Sequence, residues 1–166
     1  GPILYTQERL TRDGRPFKIY KFRSMTTRSE DKGARLCAKD DARVTPVGNI
    51  IRNIHFDELP QLFNILTGDM SVVGPRPERQ VIAEKYMEQI PEFAFRTKVK
   101  AGLTGYAQVW GKYNTTPYDK LKMDITYIEN YSLWLDIKLI LLTFKILFVK
   151  ENTEGVDETQ TTALKK

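Results

Sequence analysis

Asp57 and Glu58 are adjacent carboxylates just ahead of Pro60, in a stretch where a helix can begin. Proline is tolerated in the first turn of a helix, and acids there sit at the positive end of its dipole. That location favours the ionised forms. An ionised aspartate can act as a nucleophile, and a neighbouring carboxylate can hold a hard cation or orient the first. The simpler account is that acids are common at helix starts, so the pair alone does not establish catalysis. Two arginines extend the pattern. Arg52 precedes Asp57 by five residues, and Arg76 is fixed between Pro75 and Pro77. A guanidinium on such a stiff segment can meet phosphate oxygens in bidentate fashion at low entropic cost. It could equally pair with Glu78 or Asp69 to pin a turn.

Further cations come from the first fifth of the chain. Residues Ile3 to Leu10 and Pro16 to Met25 are rich in aromatic and β-branched side chains and flank Asp13-Gly14, a tight-turn signal, so a β-hairpin is predicted. Alternation along its second strand places Phe17, Ile19, Lys21 and Arg23 on one face. Two such cations can hold a phosphate. Thr26 to Thr45 is polar and charged, lacks a clear period and reads as a mobile loop or a broken helix. A short helix is predicted over Asn49 to Ile54. Leu59, Leu62, Phe63 and Leu66 then fall at the spacing of a buried helix stripe closed by Gly68.

Ser71 to Glu78 is extended, a helix follows from Arg79 to Ile90, and Phe93 to Lys98 forms a short helical turn. The glycines between Ala101 and Gly111 predict a loop leading into a strand near Tyr106 to Trp110. That loop could approach a phosphate through backbone N–H groups, or it could serve packing alone, because it fits neither common phosphate-binding glycine pattern. Pro117 to Val149 is helical and increasingly amphipathic. Its apolar surface from Trp134 to Phe148, with Lys138 and Lys145 beside it, fits either a core helix or one lying in a membrane interface. Glu151 to Lys166 is a flexible polar tail. The fold class is therefore α+β, a small hairpin or sheet with several short and amphipathic helices.

With 166 residues and 41% hydrophobic composition, the chain suits one domain, assigned to residues 1–150, with the tail at 151–166. Residues 1–55 carry twelve lysines and arginines against six acids, whereas the whole chain nets +5, so the anion-facing part is the front third. Basic and acidic residues are nevertheless interleaved, which argues against a nucleic-acid partner. Cys37 is the only cysteine and His55 the only histidine. A disulfide framework and a His- or Cys-rich transition-metal cage are therefore excluded, and a metal here would be a hard cation such as magnesium or manganese. The longest apolar run is interrupted by Asp136, Lys138 and Lys145, so no membrane span is predicted.

Taken together, five blocks resemble the bacterial sugar transferase family, the monotopic polyprenyl-phosphate phosphoglycosyltransferases. They are GPILYTQER from Gly1, FKIYKFRSM from Phe17, DELPQLFNILTGDMSVVGPRPE from Asp57, KAGLTGYAQV from Lys100 and YIENYSLWLD from Tyr127. The family usually has proline where Ala101 stands and often tryptophan where Tyr106 stands; neither departure touches a charged position. The resemblance implies a catalytic domain at the membrane interface, on the cytoplasmic face of the bacterial inner membrane. It implies that Asp57 attacks the β-phosphorus of a UDP-sugar, expels UMP and carries the phosphosugar to polyprenyl phosphate, with Glu58 as ligand to a required Mg²⁺. Arg52 and Arg76 would bind phosphate, with Lys21 and Arg23 in weaker supporting roles. Family members carry an N-terminal membrane helix, which is expected to lie ahead of Gly1 in a longer protein. A homo-oligomer through the apolar C-terminal helix is also an expectation. The competing expectation is a non-catalytic domain of the same shape that binds nucleotide sugars or anionic membranes.

Overall fold

Alternation along two short apolar segments makes the first element. β1 (Leu4–Leu10) and β2 (Pro16–Phe22) pair antiparallel, with Leu4 opposite Phe22 and Leu10 opposite Pro16. The chain reverses through a short 3-10 turn at Arg12–Gly14, where Asp13 and Gly14 adopt φ of 59° and 70°. Aspartate and glycine are among the few residues that tolerate this left-handed region, which is why Asp-Gly marked the turn. Phe17 and Ile19 are buried on the inner face while Lys18 and Tyr20 stay outside, as the alternation requires. The computed structural model describes residues 1–27, 41–111 and 115–147. Cys37, most of the predicted loop after Thr26, Phe148 and the polar tail lie outside the described residues.

α1 (Pro46–Asn53) starts at a Thr45 cap whose hydroxyl accepts from Gly48 N, and it lies against β2's exit: a Cβ on Gly48 would fall 1.9 Å from Ser24 O. α2 (Gln61–Leu66) leads into β3 (Met70–Val73), which pairs parallel with β4 (Ala101–Thr104). A parallel pair needs a crossover, supplied by α3 (Gln80–Gln89) and a 3-10 helix at Pro91–Lys98. The predicted strand at Tyr106 to Trp110 is a helix instead, α4 (Tyr106–Trp110), and the strand lies earlier, within the glycine segment read as a loop, with Gly102 inside it. Gly74, Gly102 and Gly105 explain this order. A Cβ on Gly102 would meet Gly74 N at 2.1 Å and one on Gly105 would meet Gly74 O at 2.1 Å, so these glycines let backbones touch beside the β3–β4 pair. α5 (Pro117–Glu129) and α6 (Leu133–Leu147) divide the long C-terminal helical run around Asn130.

Three apolar clusters join these elements. Phe17, Ile19, Met70 and Ala101 tie the hairpin to the parallel pair. Ile82, Ala83, Tyr86, Phe93 and Leu121 fasten the crossover to α5. Val73, Tyr127 and Leu139 hold α5 and α6 on β3. The architecture is α+β with two two-stranded sheets. Among the described residues no helix is long and apolar enough to cross a membrane.

Candidate active site

α1 ends at Asn53, and His55 reverses the chain at φ 53°, an uncommon conformation for a residue with a side chain. A 3-10 turn at Phe56–Glu58 follows, and the Phe56 ring stacks on Phe22 at the end of β2, centroids 5.9 Å apart. This stack presses the turn onto the hairpin. α2 is fixed to the same strand by Asn64, whose amide accepts from Tyr20 N at 3.0 Å and donates to Lys18 O at 2.8 Å. Asn64 therefore pairs with β2 as a neighbouring strand would, and it is fully buried. The carboxylate pair is held between two elements docked on one strand.

The predicted buried stripe of α2 is turned the other way. Leu59, Leu62, Phe63 and Leu66 are exposed, and Gln61 and Asn64 face inward. The two amide bonds to β2 decide the rotation, because the strand's free N–H and C=O groups need polar partners more than the helix needs apolar ones.

Glu58 is a saturated anion. Its Oε1 accepts from Lys21 Nζ at 2.7 Å and from Arg76 Nη2, and its Oε2 lies 3.4 Å from Arg76 Nη1. Burial alone would raise its pKa, but Arg76 and Lys21 override that and hold the carboxyl well below the usual range. Burial in turn draws Lys21 below its ordinary value against the pull of Glu58, whereas Glu58 raises Arg76. The alternative partners for Arg76 are occupied elsewhere: Asp69 by Arg15 at 2.8 Å, and Glu78 by Lys120 at 2.6 Å.

Asp57 differs in its partners. It is only 8% exposed, yet among the described residues no group hydrogen bonds to its carboxylate or pairs with it within 4 Å. Burial pushes its carboxyl up; Lys21 opposes that, Glu58 reinforces it, and Arg52 and His55 oppose it. The expectation that a helix dipole governs this residue is overturned. Asp57 belongs to a separate turn, α2 begins only at Gln61, and a dipole acts over about one turn. The result is a carboxyl whose oxygens are free of hydrogen-bond donors among the described residues, reluctant to ionise and under the influence of Lys21 and Arg52. Once ionised, such a group can act as a nucleophile that hydrogen bonding does not blunt.

Of the six candidates, Asp57, Glu58, Lys21 and Arg76 converge, and Arg52 reaches Asp57 through its charge. Arg23 is placed apart. Its Nε donates to Pro2 O at 2.8 Å and its guanidinium lies 5.4 Å from the centroid of Tyr5. Asn64 lies outside the six candidates, although a polar residue between Phe63 and Ile65 in an apolar run is its visible signal in the sequence. Arg96 and Asp124 lie outside them too, because their pairing spans 28 residues and leaves no local trace.

The donor set suits a hard cation in kind. Magnesium takes one or two carboxylates and completes its shell with water and substrate phosphates. Among the described residues no cluster of three or more His, Cys, Asp or Glu could hold a metal, so at this site they offer a carboxylate pair and no more. Glu58 Oε2 is the less committed of that residue's oxygens.

Known proteins share this chain's sequence over nearly its whole length. It is similar to a UDP-N-acetylgalactosamine-undecaprenyl-phosphate N-acetylgalactosaminephosphotransferase of Aeromonas hydrophila, 43% identical over 150 residues, 89% of this chain and 36% of that protein. It is similar to a UDP-glucose:undecaprenyl-phosphate glucose-1-phosphate transferase of Escherichia coli, 43% identical over 148 residues, 86% of this chain and 32% of that protein. An uncharacterized sugar transferase of Bacillus subtilis, EpsL, is 40% identical over 159 residues, 96% of this chain and 75% of that protein. The chain thus spans about a third of the length of the first two relatives. The family model described as bacterial sugar transferase matches residues 1–150, which include every element and every site residue above. With the carboxylate pair, its cations and every described element inside that match, the chain belongs to the bacterial sugar transferase family.

Proposed function

We propose that this chain catalyses transfer of a sugar phosphate from a UDP-sugar to polyprenyl (undecaprenyl) phosphate, releasing UMP, through a covalent aspartyl intermediate. The observation that carries the proposal is the contrast within one dipeptide. Glu58 is committed to Lys21 and Arg76, while Asp57 is a mostly buried residue whose carboxylate, among the described residues, meets no hydrogen-bond donor and keeps its oxygens open to solvent. A carboxylate kept only for structure would be paired when buried.

In the first step an Asp57 oxygen forms a bond to the β-phosphorus, and the bond from that phosphorus to the oxygen bridging the α-phosphate breaks. UMP leaves with the electron pair. In the second step an oxygen of polyprenyl phosphate bonds to the same phosphorus and the acyl–phosphate bond breaks, restoring the Asp57 carboxylate. Splitting one displacement into two lets nucleotide leave before lipid arrives. Lys21, Arg76 and Arg52 surround the nucleophile with positive charge that absorbs charge on the transferring group. Glu58 holds Lys21 and Arg76 in place. A magnesium ion held through Glu58 would neutralise phosphate charge in the same way.

The polyprenyl acceptor requires a membrane, and the chain presents apolar surface for one. Val47, Ile50, Ile54, Phe56, Leu59, Leu62, Phe63 and Leu66 are exposed on α1, the following turn and α2, beside the carboxylate pair in sequence. Leu133, Trp134, Ile137, Leu141 and Phe144 are exposed on α6. Both surfaces are proposed to lie in the interface at the cytoplasmic face of the bacterial inner membrane.

The test is UMP release from a panel of UDP-sugars with Mg²⁺ and undecaprenyl phosphate in detergent micelles. Asp57→Asn is expected to lower release by at least about 10⁴-fold while nucleotide-sugar binding persists. Radiolabelled donor should leave a base-labile label on Asp57 when acceptor is omitted. Turnover without such a label would exclude the two-step route, and binding without turnover in the unsubstituted protein would favour the non-catalytic reading.

A further inference from the structure

The Pro75-Arg76-Pro77-Glu78 segment is fixed by its carbonyl groups. Prolines have no N–H to donate, so a segment with two of them has few other handles. Pro75 O accepts from Gly102 N at 2.9 Å, and Glu78 O accepts from Leu10 N at 3.0 Å. Pro77 O accepts from Arg9 Nη1 at 3.2 Å, and Arg76 O accepts from Arg96 Nη2 at 2.9 Å. Four successive carbonyls are thus held from β4, β1 and the Pro91–Lys98 helix.

The hold on Arg76 itself comes from a charged side chain in the interior. Arg96 is 5% exposed and its Nε donates to Asp124 Oδ2 at 2.5 Å, on α5, where Asp124 is 1% exposed. Its Nη1 lies 3.7 Å from Glu78 Oε1, and its guanidinium lies 4.7 Å from the centroid of Phe93. A buried ion pair is weak evidence of a stabilising role, because well-packed apolar residues often serve as well. An apolar pair could not hold the Arg76 carbonyl. The planar fork of a guanidinium can, since it offers one N–H to Asp124 and another to Arg76 O in fixed relative geometry.

We propose that Arg96, oriented by Asp124, is a positioning residue for Arg76, setting where the Arg76 guanidinium stands beside the carboxylate pair. The inference rests on the phosphate-binding reading of Arg76 given above and adds two residues to it. Neither touches Asp57 or Glu58; both act through the backbone of residue 76.

The experiment is a double-mutant cycle on UMP release, with Arg96→Lys, Arg76→Lys and the double variant in the same micelles. Lysine keeps the charge that Asp124 faces but loses the fork. Arg96→Lys alone is expected to lower kcat about 10- to 100-fold, as small misplacements of a catalytic group do. In the Arg76→Lys background the same change should cost less than about twofold, because coupled sites are not additive. Equal losses in both backgrounds would overturn the proposal, since a purely structural residue lowers activity whatever stands at position 76. Asp124→Asn, tested in the same cycle, gives an independent result if Arg96→Lys does not fold. Failure of the underlying reading looks different: Arg76→Lys would then leave UMP release unchanged, or the unsubstituted protein would release none, and either result removes this inference with it.

Discussion

At the scale of single residues, the site turns on two neighbouring carboxyls whose surroundings push them in opposite directions. Glu58 is held ionised, whereas burial raises Asp57, with Lys21 the strongest opposing influence. If Asp57 must be an anion to react, activity falls as it becomes protonated, so the acid limb of kcat/KM lies above the ordinary aspartate range of about 3.9. Replacing Lys21 by methionine removes the cation that lowers this pKa. The acid limb is therefore expected to move to higher pH, and the measurement is the pH profile of UMP release for the two proteins. A limb that stays in place or moves down would show that Asp57 does not set it. This opposition was only half legible in the sequence. Adjacency of Asp57 and Glu58 and the stiffness around Arg76 could be read locally, but which acid is paired depends on Lys21 arriving from β2, 37 positions away from Glu58. Local reading put both acids under one helix dipole and so treated them alike.

At the scale of elements, polar contacts rather than apolar ones decide how the pieces near the site are rotated. α2 carries an apolar stripe at helical spacing, yet it shows β2 the Asn64 amide and leaves the stripe outside. Asn64→Ala leaves Tyr20 N–H and Lys18 C=O without these partners, which is expected to cost about 2–3 kcal/mol in urea unfolding. An apolar docking of α2 would make the same change nearly neutral. Glu78 supplies a pH-dependent counterpart on the other side of Arg76. Burial alone would raise its pKa, but Lys120 and Arg96 hold it down to about 2, from 4.5. A depressed carboxyl stabilises the fold fully above its unfolded value and loses that contribution as pH falls towards the folded value. Stability is expected to drop by about 3 kcal/mol from this group between about pH 5 and pH 2, and Glu78→Gln should flatten that slope. Hairpin, turn and most helices were legible because alternation, Asp-Gly and proline act locally. The rotation of α2 and the parallel β3–β4 pairing were not, because they depend on partners far along the chain. The helix at Tyr106 was also missed, since three glycines that serve backbone packing read as a loop.

At the scale of the whole molecule, the three apolar clusters account for the hairpin, the crossover and the C-terminal helices, but they leave large apolar side chains outside. Scattered exposed apolar residues are ordinary, whereas a run of them on consecutive elements asks for a partner. The exposure of α2's stripe is informative here, because the same residues could have been buried by turning the helix. The proposed partner is the membrane that carries the polyprenyl acceptor. Burial of one large apolar side chain is worth about 1.5–3 kcal/mol, so Phe63→Ser should weaken partition into vesicles of bacterial lipid composition by about tenfold or more. Phe63 is 65% exposed and makes little of the core, so its unfolding midpoint should move by less than about 0.5 kcal/mol. Trp134→Ser examines α6 in the same way, since Trp134 is 76% exposed. If both changes weaken vesicle binding without loss of stability, both surfaces meet lipid. If only Trp134→Ser does, the membrane face is confined to α6, and the outward stripe of α2 must be covered by protein instead, which would then appear as concentration-dependent self-association that Phe63→Ser abolishes.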